Sequence, residues 1–262
     1  MVGRTALITG ATAGIGAAFA RRLAADGLAL VLVARDEARL STLARELRSR
    51  HGVDVEVLAA DLADDAGCAS VEARVADQRN PIDVLVNNAG LGLRGSVLRN
   101  PVEQEEHLLR LNVRAVLRLA HAALPGMTER GAGAIINVAS VAAFTPMTGS
   151  TYPASKAWVV NFSESIDLLV RPRGVRVLAL CPGLVRTEFH ERAGITTDAM
   201  PQRLWLDAGW LVDRALRDLE RGRRVSIPSL RYRALVSFLR YAPRRLVYRM
   251  SSSARKRTRR ED

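Results

Sequence analysis

Short apolar runs alternate with helical patterns along most of this chain, and that alternation restricts its fold more than any other feature. The runs are RTALIT (4–9), ALVLVA (29–34), VEVLAA (55–60), IDVLVN (82–87), AIINVA (134–139) and VRVLAL (175–180), with RVSIP (224–228) a weaker seventh. Most are apolar on both faces, as strands covered on both sides must be. Only Val53, Val55 and Val57 alternate with Asp54 and Glu56, which marks a strand with one wetter face or end. Amphipathic helices are expected over 14–26, 36–50, 64–79, 101–124, 151–171 and 207–221. Strand–helix alternation repeated this often predicts an α/β fold: one doubly wound domain of about seven parallel strands with right-handed crossovers. With 262 residues, 48% of them hydrophobic, the chain can bury a sizeable core as a single domain.

Charge and cysteine content narrow the functional classes. The formal net charge is +12, and Lys156 and Lys256 are the only lysines, so the excess is arginine. An arginine- and alanine-rich composition reflects coding bias as readily as a polyanionic partner. No zinc, RNA-binding or helix-turn-helix signature accompanies it, so nucleic acid is not an expected partner. Cys68 and Cys181 have neither metal nor disulfide spacing, which fits a reducing compartment. His51, His107, His121 and His190 show no ligand spacing either, and no metal site is expected. The N-terminus runs directly into RTALITG without a cleavage region, and no apolar run reaches the ~18 residues of a membrane span. The expected location is cytoplasmic, with a peripheral membrane contact as the alternative discussed below.

The first strand joins the first helix through ITGATAGIGAAFA, with Gly10, Gly14 and Gly16 in the connection. A phosphate that must approach backbone closely leaves no room for side chains, and the following helix N-terminus offers free N–H groups and a positive dipole end. The spacing is G-x-x-x-G-x-G rather than G-x-G-x-x-G. Its place after a strand and before a helix makes it a dinucleotide site. The second strand ends Ala34-Arg35-Asp36. An acidic residue there favours a ribose 2′-hydroxyl, whereas an arginine favours a 2′-phosphate. Arg35 comes first and Asp36 is a candidate helix cap, so NADP(H) is expected over NAD(H). Asp61, ending the third strand, either accepts from the adenine amino group or caps the next helix; the sequence leaves both open. In NNAG (87–90), asparagine side chains can tie adjacent strands, and Ala89-Gly90 keeps the floor low beside the coenzyme.

STYPASK (150–156) places Tyr152 and Lys156 four residues apart, on one helix face. Pro153 is tolerated only in a first turn, so the helix starts here, with Ser150 or Thr151 as its cap. A phenol of pKa near 10 is a poor base, and an adjacent ammonium favours its ionised form. Bringing that pKa to about 7 takes roughly 4 kcal/mol of differential stabilisation. Such a tyrosine gives a proton to a carbonyl oxygen and takes it back in the reverse direction. Ser140 ends the fifth strand and can hold the substrate oxygen. Asn112 lies in a helix that an asparagine does not favour, and its carbonyl can orient water or the lysine.

TGATAGIG, NNAG, LNV, the Ser140/Tyr152/Lys156 set and CPGLVRT occur in order. On these motifs, over about residues 3–190, the chain resembles the short-chain dehydrogenases/reductases of the main branch. The resemblance implies a Rossmann-like domain and hydride transfer between NAD(P) and an alcohol or carbonyl. It implies that Tyr152 is the acid/base and that Lys156 holds the nicotinamide ribose and lowers the tyrosine pKa. Ser140 would orient substrate, and Asn112 would support a proton relay through water. Coenzyme contacts would come from Thr9, Gly10, Thr12, Gly14, Ile15, Gly16, Arg35, Asp61, Leu62, Asn88, Ala89, Gly90, Tyr152, Lys156, Pro182, Gly183 and Thr187. Ala13 departs from the family, standing where many NADP-dependent members carry a basic residue. A homo-oligomer paired through helices 101–124 and 151–171 is also implied by the resemblance alone.

Residues 1–229 thus read as the catalytic domain, with a substrate lid over about 186–206. Phe189, Ile195, Met200, Leu204 and Trp205 either line an apolar pocket or pack on the domain's own core. The first option points to a lipid-like ketone, a ketoacyl chain or a steroid-like alcohol, and so to lipid metabolism. Residues 230–249 are expected as an amphipathic helix that packs, builds a subunit contact or lies on an anionic membrane. Residues 250–262 read as a disordered basic tail. The competing functional reading is a protein that senses NADP on the same scaffold without turnover.

Overall fold

The computed structural model describes residues 4–146, 149–189, 193, 201–243, 245 and 248. Seven strands form one parallel sheet: β1 (Thr5–Thr9), β2 (Ala29–Ala34), β3 (Val55–Ala59), β4 (Val84–Asn87), β5 (Gly133–Val138), β6 (Val175–Leu180) and β7 (Val225–Ser226), in the order β3-β2-β1-β4-β5-β6-β7. The helices are α1 (Gly14–Ala25), α2 (Glu37–His51), α3 (Asp65–Ala76), α4 (Val102–Leu109), α5 (Ala115–Glu129), α6 (Thr151–Val170), α7 (Ala208–Glu220) and α8 (Leu230–Tyr241). Each strand and helix expected up to residue 221 is present, and the C-terminal helix expected over 230–249 ends at Tyr241, where Ala242 takes an extended backbone.

Strand periodicity explains the two-sided core. Ala6, Ile8, Leu30, Leu32, Val84, Val86, Leu178 and Leu180 face α1, α2 and α7, where they meet Phe19, Leu43 and Leu211. Leu7, Val31, Val33, Leu85, Ile135 and Val177 face α3 and α5, where they meet Val71, Leu119 and Met127. Successive residues therefore bury on opposite faces, and the buried polar positions of the central strands, Thr9, Asn87 and Asn137, sit at or near their carboxyl ends. β3 is the edge, and Glu56 on it is exposed and paired with Arg74. That is the physical reason for its alternating sequence.

Two further boundaries differ from expectation. The helix predicted over 101–124 continues to Glu129, past Pro125, with the Thr128 hydroxyl donating to the Leu124 and Pro125 carbonyls. It is also interrupted: residues Arg110–Arg114 form a π-helical turn between α4 and α5. Such a turn inserts one residue into the ladder and commonly accompanies a functional site. Asn112 sits in it. Among the described residues no helix is long and apolar enough to cross a membrane.

At the far end of the sheet, Asp167 of α6 is fully buried. It accepts from the Val177 amide at 3.0 Å and pairs with Arg171 at 2.8 Å and Arg224 at 2.9 Å, tying α6, β6 and the approach to β7. Burial pushes its carboxyl up, but Arg171, the Val177 amide and Arg224 together outweigh that and hold it below the usual range. A depressed carboxyl stabilises the fold above its unfolded pKa, and the contribution disappears as pH falls through the folded value. Both arginines keep contact with water, which moderates the cost of breaking the cluster. Asp167→Asn is expected to lower stability by about 2–3 kcal/mol at neutral pH and to flatten the acid limb of the stability curve, as read from urea midpoints between neutral and acid pH.

Candidate active site

The order of strands reverses between β1 and β4, and a crevice opens at their carboxyl ends. The connections out of β1 and β4 part there, toward opposite faces of the sheet. The Asn88 side-chain amide donates to the carbonyls of Thr9 (2.9 Å) and Gly10 (3.2 Å). Thr9 Oγ1 accepts from the Asn88 and Ala89 amides at 2.9 and 3.0 Å. The asparagine tie expected from NNAG is also present: Asn87 donates to Asn137 across β4 and β5 at 2.9 Å, and Asn137 to Ser163 at 2.9 Å.

The glycine turn is built for close approach. Gly10 and Gly14 have φ of +65° and +52°, where side-chain-bearing residues are strained. A Cβ on Gly16 would lie 2.2 Å from the Gly10 carbonyl oxygen. The start of α1 lacks the cap that α2, α3 and α7 have. Asp36, Asp64 and Asp207 cap α2, α3 and α7 by accepting from Arg39, Gly67 and Trp210 amides. α1 begins at Ala13 with no side-chain cap and no acidic residue in its first turn. Its first N–H groups and positive dipole end face the crevice, so the residues present fit a diphosphate. Ile15 packs on the core from this turn and Leu62 is buried beyond β3.

At the end of β2 the acidic and basic candidates separate. Asp36 is committed to capping α2, whereas the Arg35 side chain is 69% exposed and lies 3.8 Å from Asp61. Asp61 does not cap the next helix; Asp64 does, and Asp61 accepts from the Ala63 amide at 2.9 Å. Arg39 was visible in the sequence only as part of a helical pattern. In the structure it donates to the Thr12 carbonyl at 3.2 Å and pairs with Glu188 at 2.7 Å, so it joins the glycine turn to the segment after β6. The i, i+4 spacing of Arg35 and Arg39 was the available signal.

Tyr152, Lys156, Ser140 and Asn112 converge at the ends of β4, β5 and β6. Pro153 is buried in the first turn of α6, where its missing N–H costs nothing, and Ser150 is the N-cap position without a side-chain cap bond. The Ser140 hydroxyl neighbours the Tyr152 phenol. Ser140 Oγ accepts from the Ala142 amide at 3.1 Å, which fixes its rotamer. The Lys156 ammonium lies 5.8 Å from the Tyr152 ring centroid and donates to the Val138 carbonyl at 2.9 Å. Burial drives the phenol up to about 12, against the opposing Ser140 hydrogen bond, and drives the ammonium down to about 8. Each group is pushed toward its neutral form.

Asn112 is fully buried, and its side chain is committed. Oδ1 accepts from the Leu91 amide at 2.9 Å; Nδ2 donates to the Leu91 carbonyl at 2.9 Å and to Ser155 at 3.3 Å. A Cβ on Gly90 would lie 3.1 Å from Asn112 Oδ1 and 3.3 Å from Lys156 Nζ. Gly90 is therefore the floor between them.

The segment after β6 covers this cleft. Pro182 is buried and accepts from the Val141 amide at 3.0 Å. Thr187 lies over Gly14, and Phe189 approaches Tyr152 with ring centroids 5.7 Å apart. Phe189 and Ala193 also cover Gly92. Gly183 has a second partner: a Cβ there would lie 2.1 Å from the ring of Tyr232 on α8, a residue not singled out from the sequence. Of the expected pocket residues, Phe189 is at the site, whereas Trp205 lines a separate cavity of about 280 Å³ with Arg203, Trp210, Arg231 and Tyr232. The Leu204 carbonyl accepts from Tyr232 at 2.9 Å. Ile195, Met200 and His190 lie outside the described residues.

Comparison with known proteins agrees with this geometry. The profile of the short chain dehydrogenase family matches residues 4–197. The chain belongs to the short-chain dehydrogenase family. Sulfoacetaldehyde reductase 2 of Chromohalobacter salexigens is 40% identical over 186 residues, which are 70% of this chain and 73% of that one. A short-chain dehydrogenase from Sphingobium yanoikuyae, solved with NADPH, superposes with a TM-score of 0.83 at 42% identity, covering 88% and 92% of the two chains. The bulky-bulky ketone specific alcohol dehydrogenase of Comamonas testosteroni superposes with a TM-score of 0.78 at 35% identity over 99% and 94%. This short-chain dehydrogenase is thus an oxidoreductase with the family's seven-stranded parallel sheet.

Asn112→Ala would leave the Leu91 amide and carbonyl without their partner and open a void under Gly90. It is expected to cost about 1–3 kcal/mol and lower the thermal midpoint by several degrees, measured by circular dichroism without coenzyme.

Proposed function

We propose that this chain is an NADP(H)-dependent oxidoreductase that interconverts lipophilic ketones and secondary alcohols, with Tyr152 as the general acid and base. The observation that carries the reading is the Tyr152 phenol set beside Ser140 with the Lys156 ammonium 5.8 Å from its ring. The coenzyme, when bound, supplies or accepts the hydride. In reduction, Tyr152 donates its proton to the carbonyl oxygen, which Ser140 holds; in oxidation the phenolate takes the proton back. Lys156, which donates to the Val138 carbonyl, would stabilise the phenolate and hold the ribose of the bound coenzyme. Asn112 acts by position: its side chain is committed to Leu91 and Ser155, so any part in a water relay falls to backbone groups released by the π turn.

Arg35 and Arg39 near the β2 end, with Asp36 turned into a cap, favour a 2′-phosphate over a 2′-hydroxyl. The NADPH complex of the Sphingobium relative supports the same choice. Phe189 beside Tyr152, with Gly92 and Ala193, gives the cleft an apolar wall, and the Comamonas relative specific for bulky-bulky ketones supports a lipophilic substrate. Exposed Leu109 and Leu117 on the α4–α5 unit and Leu168 and Leu169 on α6 support a homo-oligomer paired through those helices.

Tyr152→Phe is expected to reduce turnover of a bulky ketone by about 10²–10⁴ while NADPH titration stays within a few-fold of wild type. A wild type that binds NADPH yet turns over nothing across a broad ketone and alcohol panel would replace this reading with coenzyme sensing. The pH profiles should have opposite signs. Reduction needs the phenol and falls as pH rises through its pKa; oxidation needs the phenolate and rises over the same range. Arg35→Ala should weaken NADPH by about tenfold or more and leave NADH nearly unchanged; equal loss for both would reject the 2′-phosphate assignment.

A further inference from the structure

The positive charge of this protein is concentrated at one end. Residues 229–260 contain eleven arginines and lysines and no aspartate or glutamate, so with Glu261 and Asp262 the last 34 residues carry nine of the twelve net charges. The rest of the chain is nearly balanced. The same stretch begins with α8, whose inward face is Tyr232 and Val236. Its outward face is not polar. Leu230, Ala234, Leu235, Phe238 and Tyr241 recur at helical spacing and are all exposed, Leu230 at 73% and Tyr241 at 88%. Arg231 and Arg240 are exposed on the same helix, and Trp210 is exposed beside its first turn, across the cavity shared with Arg203 and Arg231. Amphipathic helices that rest in a lipid headgroup layer combine an apolar stripe, flanking arginines and an interfacial tryptophan.

We infer that α8 and the basic segment after it dock this protein on the surface of an anionic phospholipid bilayer. Leu235, Phe238 and Tyr241 enter the headgroup boundary, and the arginines pair with lipid phosphates. Charge decides between occupants. A second copy of this face would bring two clusters of nine positive charges together, whereas an anionic surface neutralises them. A nucleic acid would also neutralise them, but would leave the apolar stripe unused.

Docking at α8 also reaches the cleft. The Leu184 amide donates to Tyr232 Oη at 3.1 Å, Tyr232 donates to the Leu204 carbonyl at 2.9 Å, and Arg231 donates to the Arg203 carbonyl at 2.7 Å. One helix thus grips both sides of the segment that covers the crevice. The docking itself holds whichever carbonyl is reduced, because its readout is binding rather than turnover.

The test is co-sedimentation of the full chain with phosphatidylcholine vesicles, with and without about one third phosphatidylserine, in a salt series from about 0.1 to 0.5 M. Binding is expected to anionic vesicles only, and to decline with salt. L235Q/F238Q, at exposed positions, should reduce partitioning at least tenfold. R255Q/K256Q/R257Q should reduce it on the order of a hundredfold. NADPH affinity should stay unchanged in both variants. Equal pelleting with neutral vesicles, or full pelleting of both variants, overturns the proposal. So does absence of pelleting, whether accompanied by tail-dependent binding to a DNA duplex or by self-association that F238Q abolishes.

Discussion

The parting of the β1 and β4 connections is the constraint on which the rest of the structure depends. Parallel strands on either side of it lead to helices on opposite faces of the sheet, so the chain must part there and leave polar backbone ends uncovered. Thr9 and Asn88 close that gap with hydrogen bonds in both directions. The tie fixes the glycine turn on one side and Ala89-Gly90 on the other. Gly16 completes it, because its missing side chain lets α1 start against the Gly10 carbonyl. The depth of the crevice is therefore set by main-chain contacts in which a side chain has no room, which is why the motif is written in glycine.

On that floor the protein places two groups whose ionisation burial opposes. Tyr152 is raised and Lys156 lowered, each toward neutrality. Nothing in the described cleft supplies a carboxylate partner; Lys156 has the Val138 carbonyl, and Tyr152 has Ser140. A ligand that carries its own charges changes this balance. Negative phosphates at the α1 end favour the ammonium, and a positive ring beside the phenol favours the phenolate. The proposed proton-transfer pair is thus poised for charge that arrives with the coenzyme, and the protein's own contribution is a buried, fixed geometry.

Sequence order revealed the sheet because period-2 burial on both faces leaves a nearly continuous apolar signature, broken at the β3 edge and at the tied asparagines Asn87 and Asn137. Gly10, Gly14, Gly16, Tyr152 and Lys156 were legible for a similar reason: local spacing alone encodes their arrangement. Asp61 was ambiguous because carboxylates three residues apart compete for one helix start, and only the backbone shows that Asp64 holds it. Asn112 was placed in a helix, but the π turn that presents it has no simple residue signature. Trp205 looked like a pocket residue because hydrophobicity does not say which side of a segment a ring faces. Arg39 with Glu188, and Tyr232 with Gly183, are contacts between residues far apart in sequence, and no local pattern foretells them.

Gly183 shows how a family motif can serve two masters. Its neighbour Pro182 is buried at the end of β6, yet the space above Gly183 is filled by the Tyr232 ring. A side chain at Gly183 would displace α8, and with it the hydroxyl that bridges Leu184 and Leu204. The cover of the cleft is thus anchored by an element that lies beyond the matched family region, residues 4–197. The C-terminal helix adds an anchor for the cover and an outward face of its own.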